Sequence, residues 1–379
     1  MIVSAIAPTR TRGTPNGGVM SVRGRFAFGW ALAAVLCASP VLAAPAPAPG
    51  IALYKGADRG ERILSGAKRE GRVVFYSGMI ENQALRPIAD AFKKKYPFIA
   101  VDYWRGDSRA LVQKALTERR AGRVTGDILE STGGAEALVR AGAVQPFYSS
   151  SAAGFATNYV DPQGMWVASR LDYFAIGYNT RQVSAADVPK TYDDLLNPKW
   201  KGAIAWRTDS EIGADLFIAG VIREMGKVKG EAYLKRLAAQ RIVNYAGSPR
   251  ALVDRVGEGE YKIALEIYAH HPLISKTKGA ALDTQMLDPV PSTLSTVQLT
   301  SGAPHPNAAM LFIDFLLSKE GQEVLRAAQY LSPNPQVDTD PSLRKIIPRL
   351  NGLKETVFTP ELMFQSRDEA HALFNKYFR

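Results

Sequence analysis

Cysteine is almost absent from this chain: Cys37 is the single one among 379 residues, and it lies in an apolar N-terminal segment. One cysteine cannot form an intramolecular disulfide. A mature product that has lost this segment contains no thiol, which excludes thiolate metal sites and cysteine nucleophiles as well. Its stability must therefore come from the packing of a hydrophobic core.

Catalytic signatures are also missing. The sequence has no Gly-x-Ser-x-Gly elbow, no His-Glu-x-x-His pair and no P-loop, and its four histidines stand at positions 270, 271, 305 and 371. A hydrolase needs a nucleophile beside a base, and a metalloenzyme needs a cluster of metal ligands. The sequence shows neither pattern. We therefore expect a protein that is not an enzyme and carries no cofactor.

Long runs of charge are absent, although the formal net charge is +11. The longest basic run is Lys93-Lys94-Lys95, which is typical of the solvated end of a helix. A basic patch with interleaved aromatic residues, as nucleic-acid-binding modules have, is not present. We expect no nucleic-acid partner, and we expect a monomer.

The N-terminus has the three parts of a secretory signal peptide. Arginines up to Arg25 precede the uncharged apolar run 26–38, and small residues follow up to Ala43. The run is shorter than the roughly 20 residues that span a bilayer. We expect export to the periplasm with cleavage near Ala43, and translation could begin at Met1 or at Met20.

The rest of the chain alternates strand and helix patterns. The apolar run 73–76 is followed by helical spacing from Leu85 to Phe92, and further strands are predicted at 99–104 and 127–129. Such alternation predicts parallel strands with crossover helices, hence a doubly wound α/β sheet. About 330 mature residues exceed what one hydrophobic core usually serves, so two lobes are expected. The tail from Leu343 onward is predicted to be helical.

Ligands of open α/β sheets bind beyond the carboxyl ends of the strands, where loops meet helix N-termini. In this chain those loops are rich in hydroxyl groups and glycine. For each loop alone, ordinary helix capping is an alternative explanation. The candidate ligand-binding residues are Ser77, Gly78, Arg105, Ser108, Ser131, Thr132, Arg207, Thr208, Ser248 and Tyr268.

Several short motifs, taken in order, resemble the type 2 periplasmic solute-binding proteins of ABC importers, and among them the ferric-iron-binding subgroup. The resemblance covers nearly all of the mature chain. The motifs are Val74-Phe75-Tyr76-Ser77-Gly78, Gly126-Asp127-Ile128, Ile176-Gly177-Tyr178-Asn179-Thr180, Pro198-Lys199-Trp200-Lys201-Gly202 and Pro306-Asn307-Ala308-Ala309.

This resemblance implies two α/β lobes joined by crossover hinge strands, which close on a solute and dock onto an inner-membrane permease. On that basis residues 1–43 are the signal peptide and 44–68 a linker and N-terminal segment. Lobe 1 comprises 69–172 plus 285–330, and lobe 2 comprises 173–284 plus 331–379. A periplasmic receptor for a membrane sensor kinase would have the same fold and stays open as an alternative.

This chain differs from the iron-binding subgroup at positions of the iron ligands, and these differences bear on the identity of the solute. The resemblance places the iron-binding histidine at Ile80, the glutamate at Thr132 and the tyrosine pair at Tyr268-Ala269. With hydroxyl-rich loops and arginines available, the predicted ligand is a small organic anion or zwitterion. The alternative is ferric iron held by Tyr268 with a bound anion. If a metal is bound, His270 is a further candidate ligand, although His270 and His271 could both reach one ion only from a loop.

Overall fold

A computed structural model describes residues 50–208 and 212–379 of the chain. The predicted signal peptide and the first residues of the linker lie outside the described residues. None of the helices in the described residues is long and apolar enough to cross a membrane.

The described residues form a mixed α/β structure around a large sheet. The strands are β1 (Arg72–Ser77), β2 (Ala100–Arg105), β3 (Ile128–Thr132), β4 (Val144–Gln145), β5 (Val167–Asn179), β6 (Ile204–Arg207), β7 (Val243–Tyr245), β8 (Ile263–Tyr268), β9 (Leu282–Gln285), β10 (Val290–Thr300) and β11 (Glu355–Phe358). The helices are α1 (Arg59–Glu70), α2 (Arg86–Lys95), α3 (Ser108–Arg120), α4 (Ala135–Arg140), α5 (Ala214–Met225), α6 (Lys227–Ala238), α7 (Pro249–Glu258), α8 (His270–Thr277), α9 (Pro306–Leu317), α10 (Lys319–Ala327) and α11 (Pro360–Tyr377).

Local sequence accounts for several of these boundaries. The Asp107 carboxylate accepts a hydrogen bond from the Ala110 amide at 2.9 Å and so caps the start of α3. Ser248 caps α7 in the same way, through the Ala251 amide at 3.1 Å. Helix α1 ends at Gly71, whose φ of 63° is the left-handed conformation that glycine adopts without steric cost.

The sheet runs in the order β2-β1-β3-β10-β5-β8-β6-β7. Strands β2, β1 and β3 are parallel, as the strand-helix alternation predicted, and so are β8, β6 and β7. Strands β10 and β5 lie between these two parallel groups and are antiparallel to their neighbours. Residues 167–173 of β5 pair with β10, whereas residues 174–179 pair with β8 and β9. Strand β5 therefore crosses from one half of the sheet to the other.

Two large hydrophobic cores lie on the two sides of this crossover. The first joins α1, α2 and α9 to β1, with Phe75, Phe92 and Phe312 in ring contact at 4.8–4.9 Å. The second joins α5, α6 and α11 to β6, with Trp206 and Phe217 at its centre. The fold is thus two α/β lobes joined by crossover strands, as predicted. The boundaries assigned to the lobes stay a prediction.

Helix α1 begins within the segment 44–68 that we interpreted as linker and N-terminal region, and its Ile63 and Ala67 are buried in the first core. The tail is not helical throughout, because β11 precedes α11 and pairs with the start of β10. The prediction for the tail was therefore wrong at Glu355–Phe358, where Val357 and Phe358 pack against structure that is distant in sequence.

Candidate functional site

A cleft of about 710 Å³ lies between elements of the two lobes. Helices α3 and α4 and the end of β3 form one wall, and α5, α11 and the end of β6 form the other. The lining residues are Ser108, Arg109, Val112, Gln113, Leu116, Thr132, Gly134, Ala137, Thr208, Asp215, Arg367, His371 and Arg379. Of the described residues, three arginines and one acidic side chain thus line this cleft, and the volume suits a small solute.

A buried ionic network stands next to the cleft, where β5 crosses between the lobes. The Nε of Arg170 lies 3.2 Å from Oε1 of Glu130, and its Nη1 lies 3.8 Å from Oδ1 of Asp172. All three side chains are buried. Burial opposes ionisation of Arg170, yet the two carboxylates outweigh it and raise the pKa of the guanidinium. Arg170 therefore stays charged and compensates Glu130 and Asp172.

Hydroxyl groups connect this network to the cleft. Thr132, which lines the cleft, has its Oγ1 3.2 Å from Oδ2 of Asp172 and beside the Ser295 hydroxyl, and it donates its single proton to one of these two acceptors. Ser295 also donates to Asp172 at 2.5 Å, and Ser77 donates to Oε2 of Glu130 at 2.6 Å. The floor of the cleft is consequently polar, and its hydroxyl groups already donate hydrogen bonds to buried acceptors.

An aromatic and imidazole cluster follows β8. The Tyr268 ring lies 5.1 Å from Phe174, 5.6 Å from His270 and 5.0 Å from His271, measured between ring centroids. Burial raises the pKa of Tyr268, and the Asp172 carboxylate adds to that shift. Because the phenolate form is disfavoured, Tyr268 is a neutral phenol at physiological pH in this structure.

The two histidines lie in the first turn of α8, neither in a strand nor in a loop, which corrects the prediction for this segment. His270 is 2% exposed and His271 is 6% exposed, so neither is a surface residue. Both ring nitrogens of His270 and Nδ1 of His271 have no hydrogen-bond partner. Burial, with the positive charges of Arg170 and Arg250, lowers the pKa of His270 to about 3, and the pKa of His271 is also well below its usual value.

The structure brings only some of the predicted residues together. Ser108, Thr132 and Thr208 line the cleft. Gly78, Ser77 and Ser131 adjoin it through β1 and β3, and Ser131 donates to the Gly133 carbonyl at 2.9 Å. The remaining four predicted residues are not among the described residues that line the cleft: Arg105 is exposed, Ser248 is exposed and caps α7, Arg207 is buried in β6, and Tyr268 is half-buried.

The sequence prediction missed the buried ionic network and the helix residues that form the second wall of the cleft. Arg170 lies within β5 and was not among the candidate residues, which we took from the loops that follow strands. A stronger signal was available: Arg170 and Asp172 are charged residues within a buried strand, and buried charges need partners. Asp215, Arg367 and His371 lie far apart in sequence, and no local pattern connects them.

Within residues 50–208 and 212–379, no group of three or more His, Cys, Asp or Glu side chains is arranged to hold a metal ion. The position predicted for a histidine ligand is Ile80, and burial raises the pKa of Tyr268, which disfavours the phenolate that would bind ferric iron.

Known proteins share this fold and parts of this sequence. Iron uptake protein A1 of Synechocystis is 25% identical over 45% of this chain and 51% of its own length. The major ferric iron-binding protein of Neisseria meningitidis is 27% identical over 70% of this chain and 82% of its own length.

Solved structures extend the comparison at the level of the fold. Iron-bound HitA from Pseudomonas aeruginosa matches with a TM-score of 0.68 and 23% identity, covering 81% of this chain and 99% of that one. AfuA from Actinobacillus pleuropneumoniae, solved with fructose-6-phosphate bound, matches with a TM-score of 0.68 and 23% identity, covering 81% and 97%.

The sequence profile of the bacterial extracellular solute-binding proteins matches residues 131–350, more than half of the chain. This agrees with the two-lobed α/β fold, the crossover strands and the cleft between the lobes. The chain belongs to the bacterial extracellular solute-binding protein family, whose members bind solutes for ABC transporters.

Proposed function

We propose that this protein captures a small organic anion or zwitterion in the cleft between its lobes and delivers it to an inner-membrane permease. The observation that carries the proposal is the charge of the cleft. Among the described residues, Arg109 on one wall and Arg367 and Arg379 on the other line the cleft together with the acidic Asp215, and Nε of Arg367 also lies 3.2 Å from Oδ1 of Asp368. Guanidinium groups bind carboxylate and phosphate through charge-assisted hydrogen bonds, which are the stronger class.

Hydroxyl groups add specificity for a polar solute. Ser108, Thr132 and Thr208 line the same cleft, from both of its walls. A ligand that contacts both walls stabilises the closed form, and strands β5 and β10 provide the crossover about which the lobes would rotate. The binding of fructose-6-phosphate by AfuA supports a phosphorylated or otherwise anionic solute for this chain.

A ligand screen tests this proposal. We expect at least one member of a panel of carboxylates, phosphonates, amino acids and sugar phosphates to raise the melting temperature by about 4 °C at 100 times its Kd. Native mass spectrometry of the purified protein for a co-purified solute is the first measurement. The variant Thr208→Val should weaken binding, whereas Thr117→Val, an exposed threonine of α3 that does not line the cleft, should not. A broad panel without a hit would contradict the proposal.

Ferric iron is the second candidate, because Tyr268 stands beside two imidazoles and because the relatives named above include iron-binding proteins. This alternative requires Tyr268 to ionise and a bound anion to supply the missing ligands. It predicts a coloured ferric complex with a phenolate-to-iron charge-transfer band that Tyr268→Phe abolishes. Because burial raises the pKa of Tyr268 and so disfavours its phenolate, we expect the opposite, namely that protein incubated with ferric citrate stays colourless after desalting.

We also propose how the chain is organised and processed. Residues 1–43 act as a signal peptide that is cleaved near Ala43, which agrees with an extracellular solute-binding family. Lobe 1 comprises 69–172 and 285–330, and lobe 2 comprises 173–284 and 331–379; the packing of α1 in the first core supports adding α1 to lobe 1. The mature protein acts as a monomer without enzymatic activity.

A further inference from the structure

Basic side chains stand along one edge of the lobe 2 sheet. Strands β9, β5, β8, β6 and β7 lie side by side in this order, and the loop at the same end of each strand contributes one exposed basic residue. These residues, which we call the basic row, are Lys278, Arg181, Lys262, Lys201 and Arg241. Four of them precede their strand, and the fifth follows β5, which runs antiparallel to β8 and β9. Neighbouring strands are about 4.8 Å apart, so the basic row extends over about 19 Å.

Backbone hydrogen bonds hold the loops of the basic row side by side. The Lys262 amide donates to the Ala203 carbonyl at 3.2 Å, which ties the start of β8 to the start of β6. The Gly202 amide, next to Lys201, donates to the Gln240 carbonyl at 2.7 Å, which ties the start of β6 to that of β7. The spacing of these basic residues is therefore set by the sheet.

The positive charges of the basic row are not compensated within the part of the chain that the structure describes. None of its five members forms an ion pair there, and Arg181 donates to a neutral acceptor, the Gly257 carbonyl, at 3.2 Å. The nearby Glu260 carboxylate lies 2.6 Å from Nη1 of Arg255, and these two charges offset each other. Glu258 is an exposed acidic residue near the row. The basic row is thus a strip of excess positive charge.

The basic row lies at the end of lobe 2 that is distant from the cleft. Thr208, which follows the last residue of β6, lines the cleft, whereas Lys201 precedes the first residue of that strand. Strand β5 enters lobe 2 from the crossover and ends at Asn179, beside the row. No member of the basic row is among the described residues that line the cleft. The row and the solute site are therefore separate surfaces.

We propose that the basic row binds the anionic headgroups of a phospholipid membrane surface, which keeps the protein close to the membrane that carries its permease. A continuous negative surface complements a strip of positive charge along its whole length. Each Lys or Arg near such a surface raises the affinity about fivefold, so five of them give a molar partition coefficient of about 10³–10⁴ M⁻¹ at low ionic strength. This inference goes beyond the proposed function, because it does not depend on which solute the cleft binds.

The surroundings of the basic row favour lipid headgroups over an acidic protein. Protein interfaces gain most of their affinity from large aromatic or apolar anchors that become buried at their centre. The exposed large apolar side chains of the described residues are Leu53, Phe98, Trp104, Val228 and Leu350, and none of them lies in the loops that carry the row. Attraction to a charged lipid surface needs no such anchor.

Co-sedimentation of the mature full chain with lipid vesicles tests this proposal. We expect binding to vesicles of equimolar phosphatidylglycerol and phosphatidylcholine, no binding to pure phosphatidylcholine, and release from the anionic vesicles at about 0.5 M NaCl. The variant Lys201→Gln, Arg241→Gly and Lys262→Gln should lower the partition coefficient about a hundredfold, since three charges of the row are lost. Glycine is chosen at position 241 because Arg241 has a φ of 51°, which glycine adopts without steric cost.

A matched control separates the basic row from net charge. The variant Lys55→Gln, Lys229→Gln and Lys354→Gln removes three charges from exposed positions outside the row, and its partition coefficient should stay within about threefold of the native value. Melting temperatures establish that both variants are folded. An equal loss in the two variants would overturn the proposal, and so would native protein that does not sediment with the anionic vesicles.

Polyglutamate serves as a probe for the other class of partner. Binding of polyglutamate without binding of anionic vesicles, abolished in the variant of the row, would assign the basic row to an acidic protein and overturn the assignment to lipid. Native protein that binds the anionic vesicles and loses this binding only when the row is changed supports the assignment. The ligand screen described above decides the proposed function separately, because the basic row lies outside the cleft.

Discussion

Replacing Arg170 with alanine is expected to lower the free energy of unfolding by about 3–5 kcal/mol, because it leaves two buried carboxylates without their counter-charge. Glu130 and Asp172 would then have to take up protons or admit water on folding. Urea denaturation at pH 7 measures the loss. The same variant should also perturb the cleft, since Asp172 orients Thr132.

Two further variants make this expectation specific. Arg72→Ala removes the exposed Arg72–Asp102 ion pair and should cost less than about 1 kcal/mol. The triple variant Arg170→Met, Glu130→Gln and Asp172→Asn should recover most of the lost stability, because it removes the charges together. If Arg170→Ala costs no more than Arg72→Ala, the ionic network does not stabilise the crossover.

The stability of the protein is expected to fall on mild acidification, because His270 and His271 are buried as neutral groups. Their folded-state pKa values lie below the unfolded value of about 6.5, so below that pH the unfolded chain binds protons that the folded chain does not. This contribution to stability is fully present above pH 6.5 and is lost as the pH falls. For His270 the loss continues down to its folded-state pKa of about 3.

Glu266 acts in the opposite direction. Burial raises its pKa, so the folded chain keeps a proton that the unfolded chain has released above about pH 4.5. Burial raises the pKa of the Asp172 carboxyl as well, and it acts in the same direction as Glu266. Between pH 6.5 and 5 each neutral buried histidine contributes up to about 1.4 kcal/mol per pH unit to the slope of the unfolding free energy, positive with increasing pH.

The double variant His270→Gln and His271→Gln isolates the contribution of the histidines. It should make the slope of the unfolding free energy against pH less positive between pH 6.5 and 5, and each single variant should produce about half of that change. Urea midpoints measured at several pH values, with the plateau above pH 7.5 as the internal reference, test this. A slope that is the same in native and double-variant protein would contradict neutral burial of the two rings.

Much of the fold was predictable because it depends on local patterns. The apolar run 73–76 forms β1, and the strands predicted at 99–104 and 127–129 correspond to β2 and to the start of β3. Strand β10 and the short strand β11 were missed. Strand β10 is buried at every position, with serines and threonines among its apolar residues, so it shows no strand periodicity, and it becomes a strand through its antiparallel neighbours.

The sequence by itself determined the class of the protein: its α/β alternation, its two lobes, its lack of catalytic motifs and its resemblance to solute-binding proteins. The tertiary structure decided which residues form the site. Arg170 and Glu130 are 40 residues apart and become an ion pair only when β3 and β5 both pair with β10. Asp215 and His371 are 156 residues apart and meet only when α11 packs on α5. Periodicity reports the local backbone, whereas a binding site depends on contacts that only chain folding creates.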